Sequence, residues 1–296
     1  MKKGIIIGIL FGAVAVGINP VAGFASESDG IYSFRLGEFE VYMLVESESN
    51  GNTSIIPGAD AATLSRYIPA GGFRHSTNAF LIKSPGRIVL VDTGFGRTIF
   101  DKMKSLGVEP GDVDAVLITH LHGDHIGGLQ SNGMAVFTKA KVYLSAREHE
   151  YFTKTQVNRA AVAALTPYGA NVITFEPGDL GSTLREILPG ISPIAAYGHT
   201  PGHTAFLVQS GGASLIIAGD FLHVALVQFP NPDISATYDM DQRAAAVIRR
   251  QLMDYAARQR IPIGGMHMVY PGIGTVEVAG MNAGVNGNGY RFIPMR

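Results

Sequence analysis

The 296-residue chain contains no cysteine, which excludes disulfides and any thiolate metal ligand. Charge is scarce as well, with only 16% of residues Asp, Glu, Lys or Arg and a formal net charge of −1. No basic stretch interrupts that balance, so the chain gives no sign of a nucleic-acid partner. Beyond the N-terminus no run is apolar enough to span a membrane, and there is neither an internal repeat nor a low-complexity segment. What is present is a 46% hydrophobic fraction, enough for a sizeable core, together with 37 Gly and 15 Pro. That composition suits many short strands and turns.

The N-terminus reads as an export signal. Lys2 and Lys3 precede an apolar run over residues 4–17, and Gly23 and Ala25 place small residues at positions −3 and −1 of a cleavage site. The run falls short of the ~20 residues that a spanning helix needs. Residues 1–25 are therefore expected to leave as a signal peptide, placing residues 26–296 in the periplasm or outside the cell as one domain. Loss of Lys2 and Lys3 takes the net charge to −3. Without cysteine the chain cannot be a lipoprotein of the usual bacterial kind, and no stable membrane association is expected after cleavage.

The densest chemistry lies in Thr119-His120-Leu121-His122-Gly123-Asp124-His125-Ile126-Gly127-Gly128. An apolar strand over residues 115–118 delivers it. On a helix His120 and His122 would point to different faces, so their spacing suits a loop at a strand end. There one turn can aim His120 and His122 at one ion while Asp124 and His125 swing toward a second. Neutral imidazoles and carboxylates are ligands for Zn²⁺ and its first-row neighbours Mn, Fe and Co. Gly123 and Gly127 are expected to supply the backbone freedom so tight a cluster needs.

Further strands end in similar groups. Residues 39–45 read as an early strand, and residues 78–83 and 87–91 as a hairpin ending in Asp92-Thr93-Gly94. Between them, residues 46–75 read as a long polar connection with one short helix over 59–67, and so as a lid or a homodimer arm. A helix over about 97–106 precedes the motif strand. After it, Ser145 caps a helix in which His149 reads as part of a solvated face. In the second half, residues 193–197 lead into Gly198-His199-Thr200-Pro201-Gly202-His203-Thr204. Residues 215–218 lead to Gly219-Asp220, and residues 262–266 to His267, with an amphipathic helix over about 240–258 between them.

His120-Leu121-His122-Gly123-Asp124-His125 resembles the signature of the metallo-β-lactamase-fold hydrolases. The resemblance implies an α/β fold, an αββα sandwich with a metal site at one edge. It implies that His120, His122 and His199 hold one divalent ion, that Asp124, His125 and His267 hold a second, and that Asp220 bridges them. His203 would support the loop, and Asp92 would accept hydrogen bonds from the metal loop's backbone. Taken singly, Asp92 and Asp220 also read as turn formers and His267 as a core histidine. The segments 219–229, 270–274 and 289–294 resemble the methyl parathion hydrolase and N-acyl homoserine lactonase group. The chain lacks room for the extra domain of glyoxalase II or the additions of ribonuclease Z. The β-lactamases proper normally lack the bridging Asp.

The implied activity is hydrolysis of a small-molecule lactone or carboxylic ester by a hydroxide shared between two ions, with Asp124 and Asp220 in the reacting centre. Phosphotriester hydrolysis and non-catalytic metal binding are the alternatives. His223, three residues after Asp220, either donates a hydrogen bond to the substrate carbonyl or protonates the leaving group, or else packs under a lid. Phe221, Leu222 and Phe229 suit an acyl or aryl group, or the core.

Overall fold

The computed structural model describes residues 23–26, 29–280 and 289–296. Most of the expected leader therefore lies outside the described residues. Cleavage after Ala25 would cut within β1 (Gly23–Ser26), an edge strand pairing antiparallel with β2 (Ile31–Leu36).

The first sheet continues through β3 (Phe39–Asn52), β4 (Gly72–Ser84), β5 (Arg87–Val91) and β6 (Ala115–Leu117). A small hairpin, β7 (Gln130–Ser131) and β8 (Met134–Ala135), follows before β9 (Lys141–Ser145) and β10 (Val172–Phe175) complete eight strands. The second sheet holds β11 (Ile191–Ala195), β12 (Thr204–Ser210), β13 (Ala213–Ile217), β14 (Ile263–Gly264), β15 (Ile273–Val278) and β16 (Tyr290–Pro294). The helices are α1 (Ala61–Tyr67), α2 (Ile99–Ser105), the single turn α3 (Gly123–Ile126), α4 (Ala146–Glu150), α5 (Arg159–Leu165), α6 (Ala225–Gln228) and α7 (Gln242–Gln259).

Alternation along the strands builds the layers. In β4, Phe80 and Ile82 face the second sheet, whereas Ala79 and Leu81 face the helical layer that includes Ile99, Met103 and Leu165. In β12, Phe206 and Val208 meet the first sheet, while Ala205 and Leu207 pack with Leu252, Met253 and Ala256 of α7. Strands buried on both faces read as continuous apolar runs, as β5 and β13 do. The result is the expected αββα sandwich.

The reading of residues 46–75 needs correction. Strand β3 runs to Asn52 and β4 begins at Gly72, so the ends of this stretch pair as a ribbon, from Ser47 opposite Thr77 to Asn52 opposite Gly72. Residues 47–50 are exposed, so they carry no hydrophobic alternation to announce a strand. A register shift between Val45 and Ser47 marks a bulge that turns the Glu46 side chain inward. There Glu46 accepts the backbone N–H groups of Phe95 and Arg97. The tip of the ribbon folds back, so that Ile56, Ile68 and Phe73 pack on Val224 and Val227 beside α6.

Because Phe206 is fully buried between the sheets, Phe206→Ala should cost about 3–5 kcal/mol. Chemical denaturation should register this as a lowered midpoint at an unchanged slope.

Candidate metal centre

Five strand ends meet at one edge of the sandwich. β5 runs into Asp92, β6 into His120, His122, Asp124 and His125, β11 into His199, β13 into Asp220, and β14 into His267. Strands β5 and β6 are parallel, as are β13 and β14, so their C-terminal ends emerge on the same side. Thr204 N–H donates to the Thr119 carbonyl at 2.9 Å and Met266 N–H to the Gly219 carbonyl at 3.1 Å, which sews these loops together.

The structure brings all seven expected ligands together in two groups. His120, His122, His199 and Asp220 form one, and Asp124, His125 and His267 form the other. In the first, His120 Nε2 lies 3.0 Å from His122 Nδ1 and 3.2 Å from His199 Nε2. His199 Nε2 is 3.0 Å from His122 Nδ1. Donors held 2.0–2.1 Å from a tetrahedral zinc stand roughly 3.3 Å apart, so the spacing suits such an ion. Asp220 joins the groups, with Oδ2 3.3 Å from His199 Nε2 and 2.9 Å from His267 Nε2, and Oδ1 3.3 Å from His125 Nε2.

Tautomers decide what those nitrogens can do. His199 Nδ1 faces Asp239 Oδ1 at 3.0 Å, and His267 Nδ1 faces the Ser76 carbonyl at 2.8 Å. His125 Nδ1 faces Asp92 Oδ2 at 2.7 Å. Thr119 spends its hydroxyl proton on Asp92, which leaves its oxygen to accept from His120 Nδ1 at 3.1 Å. Each of these four imidazoles, His199, His267, His125 and His120, thus gives its N–H outward and turns a lone pair inward. Lone pairs that face one another, or face a carboxylate, repel unless a cation lies between them. His125 Nε2 and Asp220 Oδ1 are buried without a hydrogen-bond partner, as atoms that would ligate an ion are.

Charge makes the same demand. Burial disfavours an imidazolium at His125, yet Asp220, Asp124 and Asp92 hold it well above its ordinary value. Burial likewise opposes the Asp220 carboxylate, but His125, His267 and His120 hold it well below its usual range. Positive charge must therefore sit among these carboxylates, as a proton or as metal. The donor set fits divalent cations.

Other groups fix the frame. Thr119 N–H donates to Asp92 Oδ1 at 2.8 Å, and both Thr93 N–H and its hydroxyl reach the His125 carbonyl at 2.8 and 2.9 Å. His203 donates from Nδ1 to the Ala196 carbonyl and accepts Asp220 N–H at Nε2, each at 2.9 Å. Burial holds its imidazole down at about 3, the neutral form this geometry requires. Gly219 sits beneath that ring at φ +58°, where a Cβ would come within 2.5 Å of His203 Nε2. The expected freedom at Gly123 and Gly127 is not used, since neither has positive φ. Gly127 instead lets the Phe95 backbone approach, 2.7 Å from where its Cβ would stand.

His223 lies over the centre, with Nε2 3.4 Å from Asp220 Oδ2 and its ring stacked on His267 at 4.9 Å. Gln228 Oε1 holds it by accepting the His223 and Val224 N–H groups at 2.7 and 2.8 Å. Phe221 and Leu222 pack in the core under α7. His223 itself joins two further metal-capable groups, with His199 and Asp239 and with Asp220 and His267, whereas the half-buried His149 belongs to none.

Several residues escape a reading of the sequence. Glu148 is fully buried and binds both metal loops, accepting Leu121 N–H at 2.9 Å and the Gly202 N–H and Thr200 hydroxyl at 2.8 Å each. It hides in a charged run, and only its spacing from Ser145, whose hydroxyl accepts Glu148 N–H, marks it. Ser76 and Asn78 seat the His267 loop through the Met268 and Gly265 carbonyls. Asp239 resembles an ordinary helix cap. Arg249 had a readable signal, since it occupies the apolar stripe Ala245, Arg249, Leu252, Met253 and Ala256 of α7.

Glu148→Gln tests the clamp. Burial, the larger influence, raises this carboxyl above its usual value, so its charge costs stability as pH rises through that raised value. The amide, however, would set N–H against N–H at Leu121. A loss of about 1–3 kcal/mol at pH 7 is expected, with weaker metal retention. Denaturation and metal analysis check it, and unchanged values at pH 7 would remove the clamp.

Comparison with known proteins agrees with this geometry. Among curated sequences, a ribonuclease from Thermus thermophilus is 28% identical over 194 residues, covering 59% of this chain and 42% of its own. An N-acyl homoserine lactonase from a Bacillus species is 30% identical over 112 residues, 38% of this chain and 39% of its own. The chain thus spans under half the length of either relative. Among solved structures, the hydrolase AbOPH of the beta lactamase superfamily superposes with a TM-score of 0.81 at 25% identity, covering 92% of this chain and 99% of that one. AidC, a dizinc quorum-quenching lactonase, superposes with a TM-score of 0.79 at 23% identity, covering 90% and 98%, a likeness of fold. The sequence profile of the metallo-beta-lactamase superfamily matches residues 72–272, which include all seven clustered side chains, and the chain belongs to that superfamily.

Proposed function

We propose that the mature chain is an exported hydrolase that holds two divalent ions and cleaves lactones or carboxylic esters. The observation that carries the reading is Asp220, whose carboxylate stands within 3.3 Å of His199, His125 and His267 and so belongs to both groups at once. His120, His122 and His199 would hold one ion, Asp124, His125 and His267 the other, and Asp220 would lie between. Zinc is the best match to the donors, with manganese, iron or cobalt able to replace it. Ions in these positions supply a Lewis acid and a water acidified toward neutral pH.

The chain's own groups supply the rest. Asp220 and Asp124 bring negative charge to the reacting centre, and His223 overlooks it from beside Asp220, His199 and His267. A hydrogen bond from His223 would steady the substrate oxygen as charge develops on it. Beside His267 opens a cavity of about 950 Å³ walled by Phe73, Val224, Phe229, Met268 and Phe292, which suits an apolar acyl or aryl group.

A panel of lactones of several acyl lengths, aryl esters and a phosphotriester, run on zinc-reconstituted protein, tests the reading. Turnover of lactones or esters that stops with a chelator is expected, and preference for the phosphotriester would overturn the substrate assignment. Asp220→Asn should reduce metal content and drop the rate by orders of magnitude. Full metal occupancy with ordinary turnover would show that Asp220 does not bridge.

His223→Ala should keep its metal and lower kcat roughly 10- to 1000-fold. If His223 also passes a proton to the departing oxygen, the loss should be larger for esters with poor alkoxide leaving groups than for good phenolate ones, because only the former need that proton. A flat profile across leaving groups with a lowered Tm would reduce His223 to packing.

A further inference from the structure

Arg249 carries no obvious task in the proposed reaction, yet it is a fully buried cation on the apolar stripe of α7. Its hydrogen bonds converge on one excursion of the chain, residues 220–239. Nε donates to the Phe221 carbonyl at 2.6 Å, one residue past Asp220. NH1 donates to the Pro232 and Ile234 carbonyls at 2.8 and 3.1 Å, and NH2 to Asp239 Oδ2 at 3.0 Å. The other oxygen of Asp239 accepts His199 Nδ1–H at 3.0 Å. Ile234 is held in addition by Gln228, which seats the His223 backbone. One guanidinium thus fixes both ends of the excursion. At one end is the shared carboxylate, at the other the acceptor that sets the His199 tautomer.

We propose that Arg249 is a positioning residue that, through Asp239, presets His199 for the ion it would share with His120, His122 and Asp220. The planar fork is what the arrangement needs, because four acceptors in three directions cannot be met by a lysine ammonium on a flexible stem. Asp239, neutralised on its far side by Arg249, keeps its near oxygen available to His199, so the inward nitrogen of His199 stays a lone pair. Partners of this kind, one step behind a ligand, typically contribute 10- to 100-fold in metal affinity. The inference rests on the reading that the two groups hold ions.

The test is zinc affinity by chelator competition, resolved into two binding steps, on wild type, Arg249→Lys, Asp239→Asn and Ala256→Gly. The last is a destabilised control on the same helix stripe, about two turns from Arg249. Arg249→Lys and Asp239→Asn should each weaken one step 10- to 100-fold and spare the other, while Ala256→Gly keeps both steps at a comparable loss of Tm. Asp239→Asn preserves size and an acceptor for His199 but turns an N–H toward Arg249, and it decides the matter if the lysine variant does not fold. Wild-type affinity in Asp239→Asn, or equal weakening in the control, would reduce Arg249 to a packing role. Wild-type protein that takes up no zinc would overturn the metal reading itself, and this inference with it.

Discussion

Buried negative charge is the constraint on which this edge of the molecule depends. Asp92, Asp220 and the largely buried Asp124 crowd one end of the sandwich, where ionised carboxylates are costly unless opposite charge is close. Every nearby device answers that cost. The imidazoles turn lone pairs inward and pass their N–H groups to Asp92, Asp239, Ser76 and Ala196. The architecture makes this possible because parallel strand pairs end together, so loops from both sheets deliver donors to one place.

Much of this was legible in the sequence, for reasons of locality. His120, His122, Asp124 and His125 lie within six positions behind an apolar strand, and spacing alone exposes them. Strand ends at Asp92, Asp220 and His267 follow from apolar runs, and the same runs announce the two-sided burial of the sheets. The ribbon of β3 and β4 was illegible because its exposed residues alternate nothing. Glu148 and Asp239 could not be read because their roles exist only through partners far along the chain. Arg249 falls between these cases. Its position on an apolar stripe is visible, but what it meets there is not.

Polar burial is unevenly shared between the halves. The first sheet contributes Asp92, Thr119 and Glu46, each saturated by backbone N–H groups or a neighbouring loop. The second uses two side chains, Arg249 and Gln228, to hold a long excursion whose own secondary structure is a single turn of helix. An excursion held by side-chain hydrogen bonds can vary its sequence between those fixed points more freely than a strand can. His223 lies in that span, with the Tyr238 ring 5.3 Å from its own.

The clamp at Glu148 has a consequence for how the protein opens. Its carboxylate joins the amide of Leu121, just past β6 of the first sheet, to that of Gly202, just before β12 of the second. Neither amide can meet solvent unless the carboxylate lets go, and release at one loop loosens the other. Amide hydrogen exchange at these two positions is therefore bound into one opening event, although they are far apart in the chain. The sheets, which could fray separately at their outer edges, are tied by one side chain at the edge that carries the His and Asp cluster.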